Sequence, residues 1–318
     1  MHMEDFIFSA SVVMPLLILL TIGYFLRRIE VFTEEYVNLT NKVSFKIFLP
    51  IMLLVSIISQ QGNVTYELGI LAFSALAIVV IVVFYMIVIP IFEKDNPKRG
   101  SIVQAMFRSN VLLYGIPIIY NMYGGADLAP VVMVTLVLTI FNNIVTVIVF
   151  SYFSNSNRNW AQIIKKMVRD IVINPPIIAA AIGIAVISFD IRVPFLINQT
   201  LNSLSAVAAP IALLALGGSF QVSQVRRNLK SLIPITAARM IMHPLLVGIA
   251  AVFVGFRGPE LAALVITFAS PTAVSSLALA QAMGGDGEIA GQIIVSTTMV
   301  SCFSIFGFIY VLSIMNLV

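Results

Sequence analysis

Apolar stretches long enough to cross a lipid bilayer recur from one end of this chain to the other, and that removes most folds from consideration. A hydrocarbon core about 30 Å thick asks for about 20 mostly apolar residues per helix. On that rule the sequence holds ten spans: Phe6–Leu26, Tyr36–Ile58, Leu68–Ile91, Ser101–Tyr123, Leu128–Phe153, Ile171–Phe189, Phe195–Gln221, Leu229–Phe256, Glu260–Met283 and Ile289–Ile314. Charge agrees with this count. Lys and Arg number 18 and Asp and Glu 14, together 10% of 318 residues, where a soluble domain carries about 25%. A water-soluble fold could not cover its surface with so few charges, so the class is an all-α, multi-pass membrane protein. The net charge of +4 is spread among apolar runs rather than gathered in a stripe, which excludes nucleic acid as a partner. One cysteine, Cys302, and two histidines, one of them His2, exclude a disulfide framework and a Cys- or His-rich metal site, and no cofactor is expected.

Orientation follows from the basic residues of alternate loops. Those after spans one, three, five and seven carry Arg27 and Arg28; Lys94, Lys98 and Arg99; Arg158, Lys165, Lys166 and Arg169; Arg226, Arg227 and Lys230. The other side has only Arg192 and Arg257. Both termini are therefore expected outside the cell membrane. The leader Met1–Asp5 is acidic, so the first span reads as a retained helix rather than a cleaved signal. The linker 154–170, polar and then amphipathic around Trp160, is expected to lie along the cytoplasmic interface as a short helix.

The chain also repeats itself. A shift of 160 residues lays Pro15 on Pro175, Gly23 on Gly183, Asn38 on Asn198, Thr40 on Thr200 and Pro50 on Pro210, and a shift of 161 lays Ser109 on Ser270 and Gly124 on Gly285. Each half holds five spans, an odd number, so the halves enter the membrane from opposite sides. That is an inverted 5+5 repeat, an architecture of secondary transporters. The first repeat covers 1–153, the linker 154–170 and the second repeat 171–318.

Spans four and nine are interrupted at matching places, by Ser109-Asn110 with Gly115-Ile116-Pro117 and by Ser270-Pro271-Thr272. Proline inside a helix removes a hydrogen bond and clashes with the preceding turn. Ser270 before Pro271 is a start signal, with Ser as N-cap and Pro at the first helical position, and Ser109-Asn110 offers similar chemistry. Half-helices beginning near mid-bilayer would each present unpaired N–H groups and about half a positive charge, ends that favour carboxylates. A plain proline kink is the simpler reading of one such break, and Pro50, Pro210 and Pro244 are read so. Two breaks at repeat-equivalent positions point to a binding site.

At these residues a family comes into view. Ser109-Asn110 with Gly115-Ile116-Pro117, Leu49-Pro50, Asn174-Pro175, and Pro271-Thr272-Ala273-Val274 followed by Gly284-Gly285-Asp286 resemble the auxin efflux carrier family along essentially the whole chain. The resemblance implies ten helices in two inverted halves with helices four and nine crossing where they unwind. It implies a scaffold of helices 1, 2, 6 and 7, a moving transport domain of helices 3–5 and 8–10, export of a small organic anion, and a homodimer. Plant members carry Pro-Asn where Ser109-Asn110 stands here, and often a long central loop; both departures look like the bacterial branch, whose substrates include dicarboxylates such as malonate. The bile acid–sodium symporters look similar in architecture and supply an alternative, a sodium-coupled symport.

Four basic residues fall inside the spans, Lys42, Lys46, Arg108 and Arg239, and no acidic residue falls clearly inside any. At 1.5 Å per residue, Lys42 and Arg108 lie about 10 Å from the cytoplasmic helix ends, and Lys46 and Arg239 about 15 Å. A charge at such depth usually faces a cavity or a partner, and a transported anion could be that partner. Lys42 is read as reaching back to the headgroups. Arg108 suits either reading, while Lys46 and Arg239 are read as facing a cavity. The expected anion site is therefore Ser109, Asn110, Ser270, Pro271, Thr272, Arg108, Arg239, Lys46 and Asn142. Asn142 and its neighbour Asn143 serve equally as interhelical hydrogen-bonding groups. His243, one turn past Arg239, is either a hydrogen-bonded packing residue or a proton carrier. An intramembrane enzyme would need a nucleophile with a base or a metal with ligands, and His243 alone could serve, so catalysis is not expected. A channel or sensor needs a continuous polar pore, and the polar residues gather at the breaks instead. Sodium sites usually include carboxylates, which these spans lack.

Overall fold

The computed structural model describes residues 2–59, 68–123, 128–153, 162, 165, 168–169, 172–219 and 229–318. Trp160 and Gly124 lie outside the described residues, as does nearly all of the 154–170 linker with its expected interfacial helix.

Each expected apolar span holds helix among the described residues. In order these helices are α1 (His2–Arg28), α2 (Glu34–Val43), α3 (Leu49–Ile58), α4 (Leu68–Phe92), α5 (Asn96–Phe107), α6 (Val111–Tyr123), α7 (Ala129–Phe153), α8 (Pro175–Ser188), α9 (Phe195–Gly218), α10 (Leu229–Ala237), α11 (His243–Val254), α12 (Gly258–Ala269), α13 (Ser275–Ala282) and α14 (Gly287–Ile314). Among the described residues seven continuous helical segments are long and apolar enough to cross a membrane, and 111–123, 175–188 and 258–269 form shorter apolar helices. Spans four and nine, read as interrupted, are each two helices. In span six a helix starts at Pro175, with Asn174 extended at φ −68 and ψ 120, because a residue before proline is pushed away from the α region; Ile171, the expected first residue of the span, lies outside the described residues.

Two prolines read as kinks do something more specific. α2 runs into α3, and α10 into α11, through π-helical turns at Ser44–Phe48 and Ala238–Met242, just ahead of Pro50 and Pro244. A proline clashes with the carbonyl four residues back and leaves it without a donor, and a widened turn relieves the clash. For Pro244 that carbonyl belongs to Met240, and the Ser304 hydroxyl donates to it instead.

Packing is closest where glycine permits it. α1 crosses α9 so tightly that a Cβ on Gly23 would fall 2.0 Å from the carbonyl oxygen of Leu214, and one on Gly217 would fall 2.1 Å from that of Leu20. α8 crosses α3 in a related way: a Cβ on Gly183 would meet Ile57 at 2.9 Å and Leu54 at 3.4 Å. Near its N-terminus α1 packs against α14, where the Phe6 ring sits edge-on to Phe306 at 5.4 Å.

The helices that lead into the breaks are enclosed. Residues 100–107 of α5 and 261–269 of α12 are all buried, and α12 lies against α6, α7, α11 and α14. By contrast α4, apolar all round, buries only Ile70, Ser74, Ile78, Val82 and Tyr85, as suits a helix whose outer face meets lipid.

Candidate functional site

The two interruptions meet. Ser109 and Thr272 form an antiparallel bridge, Asn110 N–H donates to the Pro271 carbonyl at 2.8 Å, and Ala273 N–H donates to the Arg108 carbonyl at 3.0 Å. Each extended segment thereby satisfies polar backbone that a broken helix would leave orphaned in an apolar interior. This overturns the expected start of the second half-helix at Ser270-Pro271. Ser270 instead closes α12 in an extended conformation, φ −64 and ψ 141, and α13 does not begin until Ser275. Pairing with a segment far away in sequence outweighs a local start signal.

Thr272 is held from both sides. Its N–H donates to Thr297 Oγ1 at 3.2 Å, and its hydroxyl donates to the Ala105 carbonyl at 3.0 Å. Ser270 is wholly buried and returns its hydroxyl to the Ile266 carbonyl. Ser270, Pro271 and Thr272 therefore build the joint, but their side chains lie behind the site.

In front of the joint is a cavity of about 470 Å³. One wall is Arg108, Ser109 and Asn110; another is a face of α7 carrying Thr135, Thr139, Asn142 and Asn143. Asn174 at the head of α8 and Ser275 at the head of α13 add polar groups, and Phe45, Leu53, Ile177, Leu279 and Met283 are among the apolar ones.

Arg108 is the cation of this cavity. It is 9% exposed, its Nε donates to Ser275 Oγ at 3.3 Å and its Nη1 to Asn143 Oδ1 at 3.1 Å. Among the described residues no carboxylate pairs with it and its Nη2 makes no hydrogen bond. Asn143 is oriented for its role by donating Nδ2 to the Thr139 carbonyl at 2.9 Å. Asn142, buried beside it, has an Oδ1 with no partner among the described residues. A guanidinium with a free edge, amides and hydroxyls on an otherwise apolar wall can bind a carboxylate and pack a small organic body beside it.

The remaining expected residues stand elsewhere. Arg239 is wholly buried and outside the cavity lining. It donates from Nη1 to the Phe268 carbonyl at 2.6 Å and from Nη2 to Ser109 Oγ at 2.5 Å. Lys46 is exposed and does not line the cavity; its neighbour Phe45 does, because the π-helical turn sets which side of the helix faces inward. Lys42 is exposed as well. His243 is buried and also outside the lining, its Nε2 2.9 Å from the Tyr85 hydroxyl and its ring edge-on to that of Tyr85 at 5.3 Å.

Sequence reading missed Ser275, Asn174, Thr135 and Thr139 as site residues and treated Asn143 only as a neighbour. A signal for part of this was present: Thr135, Thr139, Asn142 and Asn143 stand at i, i+4, i+7 and i+8, a polar stripe on one face of an apolar helix. The Thr135 and Thr139 hydroxyls both turn back to carbonyls one turn earlier, at 2.6 and 2.7 Å, which is how such residues sit in an apolar helix.

Comparison with known proteins adds three findings. A family model described as membrane transport protein matches residues 8–309. An uncharacterized transporter of Methanocaldococcus jannaschii is similar, 23% identical over 299 residues that make up 91% of this chain and 94% of that one. A putative malonate transporter of Rhizobium meliloti is similar over a shorter stretch, 27% identical over 145 residues, 45% of each chain.

Proposed function

The chain belongs to the membrane transport protein family, and on that premise we propose that it is a secondary transporter exporting a small organic anion, with the anion's carboxylate bound at Arg108. One observation carries the reading: a guanidinium deep in the protein, paired with no carboxylate among the described residues, faces a cavity of about 470 Å³. Burying a cation unpaired is costly, and an incoming carboxylate supplies the missing charge. Asn110, Asn142, Asn143 and Ser275 surround it as neutral hydrogen-bonding groups, and the apolar wall takes the body of the substrate. Malonate is the first anion to test, since a relative carries that name.

The proposed transport cycle runs by alternating access between two inverted five-helix repeats, 1–153 and 171–318, with both termini outside. Repeat symmetry is supported by contacts as well as by sequence. Gly23 packs on Leu214, and Gly183 packs on Leu54; the 160-residue shift carries the first pair onto the second. Helices 1, 2, 6 and 7 of the ten, here α1, α2–α3, α8 and α9, would be the scaffold, and two copies would assemble through it as a homodimer. With the basic loops in the cytoplasm, the cavity reaches toward the inner surface through Asn174 at the head of α8 and Met283 at the foot of α13. His243, held by the Tyr85 hydroxyl outside the cavity lining, is read as a packing residue.

The test is trans-stimulated exchange in proteoliposomes. Protein loaded inside with unlabelled malonate takes up labelled malonate faster than empty vesicles do, and Arg108→Gln abolishes the difference. A conductance without trans-stimulation would make the protein a channel. Exchange by Arg108→Gln at the native rate would remove the site.

A further inference from the structure

Arg239 is the largest wholly buried side chain among the described residues, and the anion site does not use it. Its two hydrogen bonds reach parts of the chain that lie far apart in sequence. Nη1 takes the Phe268 carbonyl at 2.6 Å. That carbonyl is in the last turn of α12 and has no helical donor, because the N–H four residues on, at Thr272, is given to Thr297 Oγ1. A cation at a helix C-terminus also offsets the partial negative charge there. Nη2 takes the Ser109 hydroxyl at 2.5 Å. Ser109 is the residue that bridges to Thr272, and its neighbours on either side, Arg108 and Asn110, line the cavity.

From this geometry we infer that Arg239 is a positioning residue of the anion site. It does not touch the anion; it clamps the end of α12 to the extended segment of the other interruption, and so sets where Arg108 and Asn110 stand. The fork of the guanidinium is what the role requires, since two acceptors on different segments must be met in one plane. The assignment rests on the transport reading for its functional half, and its structural half stands apart from it.

Two measurements test the two halves. The first is hydrogen–deuterium exchange on the purified full chain, which needs no ligand. Arg239→Met speeds exchange at the Asn110 and Ala273 amides about tenfold or more while peptides of α1 and α9 exchange as in the native protein; Arg239→Lys recovers part of the protection. Native protection in Arg239→Met, or loss spread evenly over the chain, overturns the clamp. Should Arg239→Met not fold, Ser109→Ala gives the same local pattern at smaller amplitude, and its absence there is equally decisive. The second is malonate exchange in proteoliposomes. Ser109→Ala raises KM about tenfold, the size of one charge-assisted hydrogen bond, with maximal rate within about twofold. Adding Arg239→Lys to Ser109→Ala then raises KM less than twofold further, because both act through one bond. Multiplicative effects on KM overturn the pathway through Ser109. If the native protein exchanges no malonate, the substrate reading fails while the exchange measurement still decides the clamp.

Discussion

Arg108 and Arg239 pose the same physical problem and meet it in opposite ways. Each is a guanidinium inside a span, and neither finds a carboxylate among the described residues. Arg239 has no exposed surface and spends Nη1 on a backbone carbonyl and Nη2 on a hydroxyl, with Nε left without a partner among the described residues. Arg108 keeps a small exposure, holds an amide and a hydroxyl, and turns to an open cavity. A buried charge by itself is therefore no pointer to a ligand. What separates the two is where the guanidinium faces: Arg108 lines an open cavity, and Arg239 ties two segments together outside it.

The contrast can be broken by experiment, and the largest effect is expected on transport. Arg108→Gln lowers anion exchange by about a hundredfold or more, as removal of one partner of a buried charge pair does, while Lys46→Gln serves as the reference cation outside the cavity. Stability should sort the arginines the other way round. Arg239→Leu costs about 3 kcal/mol, because it strands the Phe268 carbonyl and the Ser109 hydroxyl in an apolar interior; Arg108→Leu, whose partners face the cavity, changes stability by less than about 1 kcal/mol. Thermal unfolding of the two variants side by side decides this, and equal losses would erase the distinction. A finer effect is expected at Asn143→Ala, which frees one more guanidinium donor and removes its aim: exchange KM rises about three- to fivefold, within the range of a single hydrogen bond. Smallest of all, Lys46→Gln alters exchange less than twofold and stability by under about 0.5 kcal/mol, as for an ordinary surface change.

These expectations also mark what could be read from the sequence. The helices were legible because apolar runs of about 20 residues leave little else possible in a bilayer. The places of both interruptions were legible too, from Ser109-Asn110 and Ser270-Pro271. The form of the second one was not. Ser-Pro is a good local start signal, yet the chain stays extended to Ala273 because Ser109 lies opposite Thr272, and no local rule sees a partner that distant. Basic residues within spans were equally plain, but their facing was not. Lys46 sits on a π-helical turn that brings Phe45 to the cavity, and Arg239 on another. An extra residue in a turn changes which side chains point inward, and a count at 3.6 residues per turn misses the change.

The glycine contact between α1 and α9 has a mechanical consequence. With no side chain on Gly23 or Gly217, the two helices touch backbone to backbone, and sliding one along the other would drive carbonyl oxygens over a ridge with no soft layer between. That joint behaves as a weld. Near its N-terminus α1 is joined otherwise: the rings of Phe6, Phe306 and Tyr310 lie between it and α14, with the Phe306 and Tyr310 rings stacked at 6.1 Å. Aromatic faces and edges can glide past one another at nearly constant contact area. The same helix is thus fused toward one end and fitted with a plain bearing toward the other.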